Sequence, residues 1–244
     1  MKKLFVMLLT KKITLKQTFS FSQVSEIIVR DAILSIKSSK CSDIYGLSTF
    51  LLKRNINVLI SPLTKLINSC IRSGRFPFCL KLAKITPLHK KGATDDPQNY
   101  RPISILPVFS KVVEKVLCSQ LLHYFERNSL FSNNQFGFRR HRSTIDAILD
   151  FVGTTLQSFE SGKHSLSLFL DLSRAFDCVS HPILLEKLAM YGLDCPSVNL
   201  IKSYLNKRSQ VVVVVGGECS GELEERTSRS ICHLLPSNFL LTTI

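Results

Sequence analysis

The sequence contains one carboxylate well placed for metal chemistry, Asp171, which directly follows an apolar run. Leu166, Leu168 and Leu170 recur at every second position, and this period-two pattern predicts a strand over residues 165–170. A strand that ends in an aspartate can hold a hard cation rigidly, since Mg²⁺ prefers oxygen ligands at fixed geometry. An aspartate after a strand is also common as a turn residue or helix cap, so both interpretations stay open.

Clustered basic side chains are the second chemical signal. The chain carries 32 Lys and Arg against 18 Asp and Glu, which gives a formal net charge of +14. Thirteen of these cations but only four of the acids lie between Arg72 and Arg142. This local excess favours a polyanionic partner such as nucleic acid. A membrane surface fits less well, because the cations are not confined to one amphipathic helix and no apolar run reaches the roughly 18 residues of a membrane span.

Residues 81–103 are predicted to form a hairpin that carries cations. Two extended segments flank a turn at Lys90-Lys91-Gly92, and Arg101 precedes a proline that keeps its backbone extended. Arginine can bind phosphate oxygens in a bidentate manner and lysine supplies a point charge, so such a hairpin suits a triphosphate. A solvated basic hairpin without a ligand is the alternative.

Residues 132–142 interleave two phenylalanines with four basic side chains around Gly137. Aromatic rings next to arginines suit stacked bases and phosphates. The same residues also fit a basic loop whose phenylalanines anchor it to the core, and the sequence alone does not separate the two interpretations.

The elements that must position these groups are helices alternating with strands, which indicates an α/β layered fold. The clearest helix covers residues 104–127, where an apolar stripe leaves Glu114 among the polar residues. Ser143-Thr-Ile-Asp146 predicts a capping box that begins another helix. A β-branched strand is predicted at 211–215.

The cysteines and the first ten residues indicate the cellular compartment in which the chain would reside. Eight cysteines are scattered without a CxxC pair or a zinc-like spacing, which favours a reducing intracellular compartment without structural disulfides. The first ten residues mimic a signal peptide, but their apolar core spans only six residues and no small-residue cleavage site follows. We therefore do not expect a secretory signal.

Four segments resemble, in the same order, the reverse transcriptases of non-LTR, LINE-like retrotransposons. They are ITPLHKKGATDDPQNYRPISILPVFSKVVEKVL (85–117), NQFGFRRHRSTIDAI (134–148), FLDLSRAFD with CVSHPILLEKLAMYGL (169–193) and YLNKRSQVVVVVGG (204–217). The resemblance covers about residues 37–217. It implies an α/β (α+β) fold with a fingers region and the first half of a palm. It also implies synthesis of DNA on an RNA template, with a DNA primer, dNTPs and Mg²⁺.

The resemblance assigns roles to residues at the matching positions. Asp171 would bind the metal through its side chain and Leu172 through its backbone carbonyl. Arg101, with Lys90 or Lys91, would bind the triphosphate. Phe176 would crowd the sugar 2′ position and exclude ribonucleotides.

The resemblance also implies template contacts and a domain layout. Gln135, Arg139 and Arg140 are the candidate contacts to nucleic acid. We expect an N-terminal extension, a fingers region, the first half of a palm and a divergent tail; their ranges are 1–39, 40–160, 161–217 and 218–244.

The resemblance ends, by our expectation, at about Gly217. The family continues with a segment like P-Q-G-S and a hairpin like Y-A-D-D, and residues 218–244 contain neither and no aspartate. Two-metal phosphoryl transfer needs several carboxylates, so we expect this chain alone to be inactive as a polymerase. The alternatives are a basic fragment that binds RNA or DNA without catalysis, or an incompletely folded remnant in which the 211–215 strand lacks its family partner and exposes a sheet edge.

Overall fold

A computed structural model of the chain describes residues 18–96, 99–139, 141–170 and 179–212. This part of the chain is an α/β fold with seven α-helices, one 3₁₀-helix and one three-stranded sheet, as the sequence predicts. The helices are α1 (Glu26–Ser35), α2 (Thr49–Arg54), α3 (Ile56–Ser73), α4 (Val108–Arg127), α5 (Thr144–Glu160), α6 (His181–Met190) and α7 (Cys195–Leu205). The 3₁₀-helix is Phe78–Lys81, and the strands are β1 (Leu82–His89), β2 (Tyr100–Ile105) and β3 (Ser209–Val212).

One apolar core joins most of the helices. α1 packs against α3 and α4, and α7 packs against α3 and α6. α4 is central because its stripe is almost completely shielded from solvent: Val112, Val113 and Leu117 are each 0% exposed. Burial of side chains of this size contributes about 1.5–3 kcal/mol each, so this stripe accounts for a large share of the stability of the fold.

Residues that precede the expected fingers region also enter this core. Phe19 and Phe21 are buried, and Phe19 forms a β-bridge with Leu193 in the turn between α6 and α7. The Phe19 N–H donates to the Gly192 carbonyl at 2.7 Å, and the Asp194 N–H donates to the Phe19 carbonyl at 2.9 Å. The segment that begins at residue 18 is therefore packed against the rest of the fold.

The helix boundaries follow local sequence signals. Gly74 ends α3 in the left-handed conformation, with φ +62°, where glycine is favoured. Ser143 and Asp146 form the predicted capping box at the start of α5. The Asp194 side chain accepts a hydrogen bond from the Ser197 N–H at 2.9 Å and caps α7.

The sheet has the order β2-β1-β3. β1 and β2 form the predicted antiparallel hairpin, in which Leu88 pairs with Arg101. β3 runs parallel to β1, and Leu82 pairs with Ser209. The described part of the 211–215 strand therefore has β1 as its neighbour and lies at the edge of the sheet.

The predicted strand over 165–170 is wrong. These residues belong to no strand, and Leu166 is 98% and Phe169 83% exposed. A strand is stable only when a neighbour satisfies its backbone and covers one of its faces, and the three-stranded sheet does not extend to this segment. The period-two pattern alone cannot provide that neighbour.

Two helices differ from the predicted division into polar and apolar faces. Glu114 of α4 is 2% exposed, although its charge predicted a solvent-facing position. α5 contains no buried residue and exposes apolar side chains along its length, including Leu149, Leu156 and Phe159. Among the described helices, none is long and apolar enough to span a membrane.

Candidate nucleotide and nucleic-acid site

The β1–β2 hairpin continues past the two strands into an ordered turn. The Lys90 N–H donates to the Asn99 carbonyl at 2.8 Å, which extends the strand register by one pair. Gly92 has φ +97°, and a Cβ at this position would lie 2.7 Å from Asn99 Nδ2. Only glycine fits there without displacing Asn99, which donates from Nδ2 to the Ala93 carbonyl at 2.9 Å.

Aromatic side chains also stabilise the turn between β1 and β2. The His89 and Tyr100 rings meet edge to face, with centroids 5.1 Å apart. The Tyr100 hydroxyl donates to the Thr94 carbonyl at 2.8 Å, and His89 Nε2 lies 3.1 Å from the Gly92 carbonyl. These contacts hold the turn in one shape relative to the strands, so the side chains next to it project from a defined backbone.

The strand register decides which cations share a face. Leu88 is opposite Arg101, and Lys90 follows two residues after Leu88, so Lys90 and Arg101 lie on the same face as diagonal neighbours. Lys91 follows on the opposite side, at the start of the turn. All three side chains are exposed, and within the described residues none forms an ion pair or a side-chain hydrogen bond.

The 131–139 segment is fixed to α4 by Arg139. The guanidinium donates to both carboxylate oxygens of Glu126, at 3.1 and 2.8 Å, and to the Ser132 carbonyl at 2.9 Å. It also lies over the Phe131 ring, 5.2 Å from the centroid. The Arg139 side chain is 13% exposed, so most of its surface already faces protein.

Other groups in this region face solvent or lack a protein partner. Both polar atoms of the Gln135 amide are buried and have no hydrogen-bond partner among the described residues. Phe138 is 64% exposed and has φ +59°. The Arg142 guanidinium lies 5.4 Å from the centroid of the Phe136 ring. The segment thus presents stackable surfaces to solvent.

An open cleft of about 750 Å³ lies between this segment and the first turns of α5. Its polar lining includes Asn133, Asn134 and Asp146. Hydrogen bonds from the Ser143 hydroxyl and backbone N–H hold the pKa of the Asp146 carboxyl below its usual value. Asp146 therefore stays ionised as a helix cap, and its negative charge lies within the otherwise basic region.

The sequence profile of the reverse transcriptase (RNA-dependent DNA polymerase) family matches residues 88–235. The probable RNA-directed DNA polymerase from transposon X-element of Drosophila melanogaster is 34% identical over 191 residues, which are 78% of this chain and 20% of that protein. The RNA-directed DNA polymerase from mobile element jockey of Drosophila melanogaster is 35% identical over 160 residues, 65% of this chain and 17% of that protein.

The chain belongs to the reverse transcriptase family. Within it, the chain groups with the non-LTR, LINE-like retrotransposons, as its four segments indicate. It spans about a fifth of the length of these curated relatives. The family match continues to residue 235, which lies beyond Gly217, where we expected the resemblance to end.

The described part of this reverse transcriptase chain contains five of its candidate site residues. Lys90, Lys91 and Arg101 come together at the hairpin, while Gln135 and Arg139 lie in the 131–139 segment. Arg140, Asp171, Leu172 and Phe176 lie outside the described residues. No group of three or more His, Cys, Asp or Glu side chains suited to a metal occurs in the described ranges.

Sequence reasoning missed several residues that shape this site. His89, Asn99 and Tyr100 hold the hairpin tip, and Glu126 fixes Arg139. A signal for the first group exists in the sequence, because His89 directly precedes the predicted turn and Asn99 and Tyr100 begin the extended segment that returns from it. Glu126 gives no comparable signal, since its partner belongs to another element.

Proposed function

We propose that the chain forms the nucleotide-binding and template-facing part of a retrotransposon RNA-directed DNA polymerase. Its hairpin binds the triphosphate of an incoming dNTP through Lys90 and Arg101. The observation that carries this proposal is the register that puts these two exposed cations on one face of a braced hairpin. Family membership supports the reaction class.

The chemistry of the two side chains fits a triphosphate. The Arg101 guanidinium can donate two parallel hydrogen bonds to neighbouring phosphate oxygens, and Lys90 adds a compact charge beside it. Neither cation is neutralised by a carboxylate within the described residues, so their charge is available to an anion. Lys91 lies on the opposite side of the turn and contributes mainly long-range attraction.

The remaining assignments for the polymerase reaction rest on family resemblance. Asp171 and the Leu172 carbonyl would bind Mg²⁺, and Phe176 would exclude ribonucleotides at the sugar. When bound, Mg²⁺ neutralises charge on the triphosphate during phosphoryl transfer. We assign residues 40–160 to a fingers region and 161–217 to the first half of a palm.

We propose template contacts at Gln135 and Arg139 of the 131–139 segment and at Arg140, which follows it directly. The exposed Phe138 supports a surface that stacks bases. The Gln135 amide has no hydrogen-bond partner among the described residues, but its polar atoms are buried and would have to turn outward to reach a base. Arg139 would act mainly by holding this segment on Glu126 and Phe131. The partners would be an RNA template and a DNA primer inside the cell, where the free thiols of the described cysteines are stable.

A second candidate function is binding of RNA or DNA without synthesis. It is favoured by one sequence observation: residues 218–244 contain neither P-Q-G-S nor Y-A-D-D and no aspartate. Two-metal chemistry would then lack carboxylates within this chain, whereas the basic hairpin and the 131–142 segment need no metal to bind a polyanion.

Template-directed primer extension with Mg²⁺ and dNTPs separates the two functions. Incorporation that disappears in Asp171→Ala supports polymerisation by this chain. No incorporation by a folded chain that still binds RNA overturns it in favour of the second candidate.

Direct titration of a dNTP tests the hairpin. We expect Arg101→Gln and Lys90→Gln each to weaken binding about tenfold, since each removes a hydrogen bond to a charged group. Lys91→Gln should weaken binding less, and Lys115→Gln, an exposed substitution on α4, serves as the matched control. Equal losses for Lys90→Gln and Lys91→Gln would contradict the shared-face assignment.

A further inference from the structure

Two buried charges hold the β1–β2 hairpin where its strands enter and leave the helical part of the fold. The base of the hairpin comprises residues 76–81, which lead into β1, and residues 106–108, which lead from β2 into α4. Asp43 and Lys81 contact this base, and they are only 4% and 6% exposed. Charged side chains are rarely buried to this extent unless their hydrogen-bonding groups are satisfied.

Asp43 binds the exit of β2 through the first residue of α4. Its Oδ2 accepts a hydrogen bond from the Val108 N–H at 2.7 Å. Its Oδ1 accepts from the N–H groups of Tyr45 and Leu47, each at 2.9 Å. The Val108 N–H is one of the donors that α4 cannot satisfy within itself, and an anion is favoured at this positive end of the helix dipole.

The turn that carries Asp43 also contacts the entrance of β1. The Tyr45 hydroxyl donates to the Cys79 carbonyl, which lies in the 3₁₀-helix directly before β1. The Gly46 N–H donates to the Asp43 carbonyl at 3.1 Å and closes the turn. One short turn therefore joins the segment before β1 to the segment after β2, although the whole hairpin separates them in sequence.

Lys81 binds the entrance of β1 to the C-terminal end of α7. Its Nζ donates to the Ser203 carbonyl and, at 3.1 Å, to the Asn206 carbonyl. Carbonyls in the last turn of a helix have no partner within the helix, and cations are favoured at this end of the dipole. The Ser203 hydroxyl accepts from the Phe76 N–H at 2.9 Å, so the segment before β1 is held on α7 at both of its ends.

We propose that Asp43 and Lys81 are positioning residues that fix the direction in which the hairpin leaves the helical core. Lys90 lies on the order of 30 Å along the strand from Lys81, so that a tilt of about 10° at the base displaces the hairpin turn by about 5 Å. The inference rests on the proposed function in one respect: a dNTP held by Lys90 and Arg101 must also contact the core, so that the hairpin direction sets the affinity.

The hairpin direction is measured on the full chain without a ligand. Fluorophores are attached through non-natural amino acids at Ala93 in the turn and at Lys115 on the exposed side of α4, and the distribution of distances between them is recorded. We expect Asp43→Asn and Lys81→Met to broaden this distribution, because the amide puts an N–H against a backbone donor and methionine has no donor for the carbonyls. Lys81→Arg keeps the charge and the donors, and it should restore the narrow distribution.

Titration of the same variants with a dNTP in the presence of Mg²⁺ measures the consequence for binding. We expect Asp43→Asn and Lys81→Met each to raise Kd about tenfold, since only molecules whose hairpin has the binding direction are competent. Lys81→Arg should bind like the wild type. The matched controls are Lys187→Met, at a lysine that is also 6% exposed, and Asp194→Asn, at the cap of α7. Both controls should leave Kd and the distance distribution unchanged.

A distribution that stays narrow in Asp43→Asn and Lys81→Met overturns the proposal, whatever the affinities are. A broadened distribution with unchanged dNTP affinity also overturns it when Arg101→Gln weakens binding in parallel, because the hairpin then binds the dNTP without the core. If the wild type binds no dNTP, the proposed function fails, and the distances still decide the hairpin direction. If Asp43→Asn does not fold, Tyr45→Phe replaces it, since it removes only the hydroxyl of a half-exposed side chain.

Discussion

Glu114 shows how one side chain makes stability depend on pH. Its pKa in the folded chain is about 7, above the ordinary value of 4.5, because burial disfavours the carboxylate. The folded state therefore binds the proton more tightly than the unfolded state does. The contribution of Glu114 to stability is fully present below pH 4.5 and is lost as the pH rises through 7.

The corresponding prediction concerns Glu114→Gln. The amide cannot ionise, so the variant should lose this part of the pH dependence and gain stability relative to the wild type as the pH rises from 4.5 to 8. The shift corresponds to a change on the order of 3 kcal/mol. Urea unfolding at several pH values measures it, and identical pH profiles for the two proteins would contradict the prediction.

Arg139 illustrates a cation with a structural role inside a basic segment. We expect Arg139→Gln to cost about 1 kcal/mol of stability, since it removes a bidentate ion pair and a contact with an aromatic ring. Amide exchange should increase at residues 131–138. Arg142→Gln is the control, because Arg142 contacts an aromatic ring but forms no ion pair among the described residues. Equal effects of the two substitutions would show that Glu126 does not hold the segment.

At the scale of elements, two glycines of the same chain should respond in opposite directions to the same substitution. Gly74 ends α3 at φ +62°, and an added Cβ would lie 3.4 Å from the Pro196 carbonyl oxygen. Gly153 lies inside α5 and has nothing within 4 Å of an added Cβ. The first glycine is needed for its backbone conformation, and the second only weakens a helix.

We therefore expect Gly74→Ala to destabilise the chain by about 1 kcal/mol and Gly153→Ala to stabilise it by about 0.5–1 kcal/mol. The midpoints of thermal unfolding test both changes in parallel. A stabilising effect at Gly74 would mean that α3 does not end in the left-handed conformation.

The sequence predicts elements well where the signal is local. The hairpin follows from Lys90-Lys91-Gly92, and the start of α5 follows from Ser143 and Asp146, because the interacting residues are near neighbours. Prediction from the sequence fails where a residue distant in sequence decides whether a side chain is buried or a strand forms. Glu114 is buried because residues distant in sequence, Tyr204 among them, lie beside it. The apolar pattern of 165–170 forms no strand because none of the described strands pairs with it.

The same distinction holds within the candidate site. The residue types pointed to cations on a hairpin, but they left open which lysine accompanies Arg101. The register of the two strands puts Lys90 and Arg101 on one face, which supports our proposal that Lys90 is that lysine. The Arg139 interaction with Glu126 was also beyond the sequence, since it joins a loop to the end of α4.

At the scale of the whole molecule, the net charge of +14 predicts RNA affinity that depends strongly on salt. If four cations contact phosphates of a single strand, the logarithm of the binding constant should fall with the logarithm of salt concentration with a slope of about −3. Titrations at several salt concentrations measure this slope. Arg101→Gln should make it shallower by about 0.7, and a slope near zero would exclude a phosphate-binding surface.

The parallel pairing of β3 with β1 has a consequence during synthesis on the ribosome. β1 and β2 are close in sequence and can pair as soon as both leave the exit tunnel, whereas β3 begins only at Ser209. At 5–20 residues per second, the edge of β1 opposite β2 waits on the order of ten seconds for its second neighbour. During this interval the nascent chain exposes a row of unsatisfied backbone groups, and we expect chaperone demand to be highest then.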